Sequence, residues 1–150
     1  MSAHVFDRLE QLRRDQGSVL CVGIDPRVER IPEALRAQHG DDIESLLYAF
    51  GAAVIEAAGP HAAAFKPQIA FFEAHGLAGL RAFAAILKEA RARGLLVIGD
   101  VKRGDIGSTA AAYARAFLTG IDGQDPRTLC DAITVNPYLG TDSIAPFVEE

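Results

Sequence analysis

Four short apolar runs, at residues 18–24, 61–66, 95–98 and 131–136, recur along the chain, and the stretches between them carry apolar residues at helical spacing. Strand-like runs alternating with amphipathic helices leave few solutions, because a parallel sheet must be covered by the helices that connect its strands. The fold class is therefore α/β. An open doubly wound sheet and a closed (β/α)8 TIM barrel both satisfy the pattern, and periodicity does not separate them.

The individual elements follow from spacing and punctuation. Val5, Phe6, Leu9 and Leu12 mark a short leading helix. The run at 18–24 is continuous and stops at Asp25-Pro26-Arg27, which suits a strand buried on both faces. Cys21, inside that run, and Cys130 are expected to be reduced packing residues, since neither belongs to a C-x-x-C pair. After a Pro-containing loop, Ile43, Leu46, Leu47, Phe50, Val54 and Ile55 predict a helix capped by Asp41 or Asp42 and ended by Gly59-Pro60. Residues 72–93 form the longest predicted helix, stopped by Gly94, and 108–118 form an Ala-rich one. Thr141-Asp142-Ser143 reads as a cap opening a last helix.

Several function classes are excluded at this level. The formal charge is −5, with no run of Lys and Arg to neutralise a phosphate backbone, so nucleic acid is not an expected partner. Residues 1–14 mix charged and apolar positions with no signal-peptide core, and nowhere do about 18 apolar residues run together, so no membrane partner is expected and the expected location is cytoplasmic. His4, His39, His61 and His75 share no metal-ligand spacing, and neither familiar Gly-rich nucleotide loop is present.

The chemistry gathers where strands end. Asp100 and Lys102 are two apart on the third strand, so their side chains leave one face together. Asp105 lies past Gly104, where strand geometry no longer fixes its direction. A solvated ion-pair cluster would explain D-x-K-x-x-D taken alone. However, Lys66 ends the second strand and Asp25 the first, so three successive strands deliver ionisable residues to one rim, as a ligand site requires. Arg103, on the opposite face from Lys102, reads as a structural ion-pair partner, and Asn136 and Tyr138 end the fourth strand.

The motifs F-D-R-L at 6–9, L-C-V-G-I-D-P-R at 20–27, F-K-P-Q-I-A-F-F-E at 65–73, D-V-K-R-G-D-I at 100–106 followed by Gly107-Ser108-Thr109, and T-V-N-P-Y-L-G-T-D-S at 134–143 together resemble the orotidine 5'-phosphate decarboxylase family, of the bacterial type that includes the mycobacterial enzymes. The resemblance implies a (β/α)8 barrel that works as a homodimer and converts orotidylate to UMP in pyrimidine biosynthesis, without metal or organic cofactor. It further implies that Asp25 holds a ribose hydroxyl, that Lys66 bonds the ribose and the carboxylate network, and that Asp100 stands against the departing carboxylate. Lys102 would protonate C6 of the pyrimidine, and Asp105 and Thr109 would reach the partner's site. Asn136 is a further candidate substrate contact. Physically, a fixed ammonium beside C6 stabilises the carbanion left by CO2 and then supplies its proton, while Asp100 and Asp105 would keep Lys102 charged and in place.

Such a barrel takes about 250 residues, and 150 residues supply four strand-helix units. Residues 1–150 are thus expected to be the N-terminal half of one barrel domain, inactive alone and prone to self-association, with the phosphate held by loops beyond residue 150. Two alternatives stay open: a lyase or aldolase acting on phosphosugars with Mg2+ or through a Schiff base on Lys66 or Lys102, and a non-catalytic half-barrel assembly module.

Overall fold

The computed structural model describes residues 4–149, so the readings that touch 1–3 and Glu150 lie outside the described residues. In chain order the elements are α1 (Val5–Gln16), β1 (Cys21–Ile24), α2 (Glu33–His39), α3 (Ile43–Ala58), β2 (Ala64–Pro67), α4 (Ala70–Glu73), α5 (Gly76–Ala92), β3 (Leu96–Arg103), α6 (Gly107–Ala114), β4 (Ala132–Val135) and α7 (Thr141–Val148). Short 3-10 turns and one π-turn, Arg115–Thr119, fill several connections.

The four strands are parallel and stand in the order β1-β2-β3-β4. This order resolves what periodicity left open. A doubly wound sheet reverses direction at a switch point, whereas here every strand sits beside its sequence neighbour. Right-handed crossovers repeated without reversal place the helices on one face, as in half of a (β/α)8 barrel. That face carries the core: Ile24, Phe65, Val97 and Val101 meet Leu47 and Ile55 of α3 and Phe83, Ile86 and Leu87 of α5, all buried. Each such side chain contributes about 1.5–3 kcal/mol by leaving water.

Alternation then turns Asp25, Lys66, Asp100 and Thr134 to the other face. On this account β1 is not buried on both faces. Cys21 is exposed, because it points away from the helices on a strand with a neighbour on one side only. Cys130 packs as expected, and burial pushes its thiol up to about 12.

Local differences have local causes. The loop after β1 contains α2, opened by Pro32, whose fixed φ suits a helix start. The helix expected over 72–93 is broken in two, because Gly76 at φ 60° re-aims the chain between α4 and α5. Asp42, not Asp41, caps α3 by accepting from Ser45 N–H. α7 begins at Thr141 behind Gly140, without a side-chain cap; Ser143 Oγ instead donates to the Gly140 carbonyl at 2.6 Å. Among the described residues no helix is long and apolar enough to cross a membrane.

Candidate active site

The site is built on an irregularity in the sheet. Between the pairs Gly99 with Ile133 and Arg103 with Val135, β3 takes four residue steps where β4 takes two, so β3 bulges. Asp100, Val101 and Lys102 occupy the bulge, and Lys102 sits at φ 47°, a left-handed conformation that costs a non-glycine residue about 1–3 kcal/mol. The expectation that Asp100 and Lys102 share a face holds, although the bulge and not regular alternation brings them together.

Asp100 is the centre of the cluster, 6% exposed. Its Oδ2 accepts from Lys66 Nζ at 2.8 Å and Gln68 Nε2 at 2.9 Å. Its Oδ1 accepts from Thr134 Oγ1 at 2.8 Å and from Lys102 Nζ. Burial pushes this carboxyl up, but the Lys102 and Lys66 ammoniums and the Thr134 hydroxyl outweigh it and hold it at about 2. Lys66 is in turn raised, chiefly by its bond to Asp100, with the charge of Asp25 adding to the effect. A carboxylate with four donors is a fixed anion rather than a base. Each ammonium has three hydrogens and places one on Asp100. The side chain of Lys102 is 62% exposed, which leaves its remaining hydrogens available to a ligand on the open face.

The sign of the Asp100 shift sets an acid response. A carboxyl held below its ordinary 3.8 stabilises the fold fully above that value, and the contribution is lost as pH falls toward 2. Urea unfolding of the wild type is expected to lose about 2 kcal/mol more between pH 4 and pH 2 than Asp100→Asn does. Parallel pH profiles for the two proteins would contradict the charge state assigned here.

The other candidates are placed as follows. Asp25 ends β1 exposed, near enough to act on Lys66 through its charge. Asp105 stands apart from Lys102: past Gly104 it turns back, and its Oδ1 accepts from Ile106 N–H at 2.8 Å. Thr109 is exposed in the first turn of α6. Asn136 N–H donates to the Arg103 carbonyl at 2.7 Å and its Oδ1 accepts from Tyr138 N–H at 3.1 Å, so it closes the turn after β4. Arg103 pairs with Glu73 on the helix side, as the sequence suggested.

Gln68 and Thr134 are the two members that sequence reasoning missed. Period-two spacing could have found both, since Gln68 lies two residues after Lys66 and Thr134 two before Asn136.

The family model described as "Orotidine 5'-phosphate decarboxylase / HUMPS family" matches residues 18–150. The chain is 44% identical over 137 residues to orotidine 5'-phosphate decarboxylase of Rhodopirellula baltica, covering 89% of this chain and 45% of that protein. To the Streptomyces coelicolor protein of the same name it is 46% identical over 143 residues, covering 93% and 48%. A Streptomyces avermitilis crystal structure with a provisional assignment to the same enzyme superposes with a TM-score of 0.80 at 47% identity, over 99% of this chain and 50% of that one. The chain thus spans about half the length of the curated relatives it matches.

Proposed function

The chain belongs to the orotidine 5'-phosphate decarboxylase / HUMPS family, and from that premise we propose that it is the N-terminal half of a single (β/α)8 barrel that decarboxylates orotidine 5'-phosphate to UMP in pyrimidine biosynthesis. The observation that carries this reading is the Asp100 cluster: a buried, fully bonded carboxylate flanked by two ammoniums, one with hydrogens free toward the open sheet face.

On this reading the substrate's C6 carboxylate meets Asp100 and C6 meets Lys102. The bond from C6 to the carboxylate breaks, CO2 leaves, and the electron pair stays on C6. Lys102 stabilises that charge as it develops and then transfers a proton from Nζ to C6, regaining one from water. Asp25 and Lys66 hold the ribose, with Asn136 as a further contact at the rim. Asp105 and Thr109 extend from the turn and first helical step after β3, and we assign them to the site of a second subunit in a cytoplasmic homodimer. The phosphate is gripped by the second half of the barrel, whose binding energy helps to stabilise the transition state. Residues 1–150 alone are accordingly inactive.

The test is an assay of the complete polypeptide after exhaustive chelation, with and without borohydride. Conversion of orotidylate to UMP at an unchanged rate in both conditions is the expected result. A rate lost on chelation and restored by Mg2+, or covalent trapping of a keto-sugar phosphate by borohydride, would transfer the site to phosphosugar lyase or aldolase chemistry.

A further inference from the structure

We propose that Thr134 is a positioning residue, whose hydroxyl fixes Lys102 and Asp100 relative to one another; the inference rests on the decarboxylase reading of that cluster. Across the bulge, Asp100, Val101 and Lys102 face Thr134 as the single residue of β4 between Ile133 and Val135. A ladder stretched in this way leaves backbone N–H groups without strand partners, and each needs an acceptor from elsewhere. Thr134 Oγ1 accepts from Lys102 N–H at 3.0 Å and donates to Asp100 Oδ1 at 2.8 Å. The same carboxylate oxygen accepts from Lys102 Nζ. The lysine is therefore tied at both ends, its backbone directly to the hydroxyl and its ammonium through Asp100.

This arrangement matters because Lys102 is in a conformation that it would not hold unaided. On the helix side the next residue is anchored: Arg103 Nη1 donates to the Val101 carbonyl at 3.1 Å, and its guanidinium lies 5.5 Å over the rings of both Tyr113 and Phe117. That clamp fixes the strand but does not reach the charge cluster, whereas Thr134 touches both. Without the hydroxyl, Lys102 is free to relax toward ordinary φ, and Nζ moves off its position beside Asp100. A threonine hydroxyl donates and accepts at once; valine has its shape and does neither, and serine does both.

The complete polypeptide would be assayed as wild type, Thr134→Val, Thr134→Ala, Thr134→Ser and Lys102→Ala. In the valine and alanine variants kcat is expected to fall by about 30- to 100-fold while KM changes by less than about threefold, since misplacing a reacting group by an ångström has effects of that size. Thr134→Ser is expected to stay within about threefold of wild type. The acid limb of the kcat profile should move to higher pH in Thr134→Val, because Asp100 has lost a donor; a role in folding alone would leave that limb in place. Should Thr134→Val not fold, Thr134→Ala, which also removes both bonds, carries the comparison with serine. Wild-type kcat in the valine or alanine variant, alongside an inactive Lys102→Ala, would overturn the positioning role and leave the decarboxylase reading intact. An active Lys102→Ala would take the proton donor away from Lys102 and overturn this inference alone, whereas a wild type that leaves orotidylate unconverted would overturn the decarboxylase reading and this inference with it.

Discussion

Lys102→Ala in the complete polypeptide is expected to lower orotidylate turnover by about 10⁴-fold or more, with the loss in kcat rather than in KM. Two contributions are removed at once. A preorganised charge beside a developing anion accounts for about 10²–10³ in rate, and a placed proton donor for about 10²–10⁴. The variant should fold, because Asp100 keeps Lys66, Gln68 and Thr134 when Lys102 is gone, and because the Lys102 side chain is largely exposed. Lys102→Arg is not expected to rescue turnover, since guanidinium retains the charge but gives up its proton far less readily and spreads over a wider plane. Turnover is read by the ultraviolet change as orotidylate becomes UMP, with the thermal midpoint as the folding control. If Lys102→Ala stayed within tenfold of wild type while Lys66→Ala was inactive, the proton donor would be Lys66.

The largest effect on stability is expected at the other end of the sheet. Asp131, with a side chain only 5% exposed, stands just before β4. Its Oδ2 accepts from Val97 N–H at 2.8 Å, while Oδ1 pairs with Arg8 of α1 and with Arg91 of α5. The Arg91 contact is close as an ion pair but is not aligned as a hydrogen bond. Asp131→Ala leaves two neighbouring guanidiniums without their counter-charge and a backbone N–H without its acceptor, and breaking a buried pair in this way costs about 3–5 kcal/mol. Arg8→Ala should cost only about 1 kcal/mol, because the Arg8 side chain is 31% exposed and Asp131 keeps both Arg91 and the Val97 N–H. Urea unfolding of both variants measures the difference. A loss below about 1 kcal/mol for Asp131→Ala would mean that this network does not hold α1 and α5 to the sheet.

Much of the fold was legible because its signals are local. The apolar runs at 18–24, 61–66, 95–98 and 131–136 each hold a strand, although β1 and β2 start three residues late and β3 runs on to Arg103. The helix led by Ile43 falls where spacing put it, and the stretch that ends before Gly94 does so only from Gly76 on. Sheet order was not legible, since doubly wound and barrel topologies share the same alternation of strand and helix. The bulge in β3 was hidden for a related reason: pairing register depends on β4, which lies about 30 residues downstream. Asp100, Lys102 and Lys66 could be seen as charges in apolar strands. Gln68 and Thr134 are neutral, and only the position of the Asp100 carboxylate reveals what they do. The exposure of Cys21 could not be read from its run, because an apolar strand at a sheet edge has the same composition as one at the centre.

The most direct measurement is a crystal structure of the complete polypeptide with UMP bound. The expected result places C6 of the pyrimidine within about 3–3.5 Å of Lys102 Nζ, on the sheet face that carries Asp100. A nucleotide bound with C6 turned away from Lys102, or held on the helix side of the sheet, would contradict the assignment of the chemistry to this cluster.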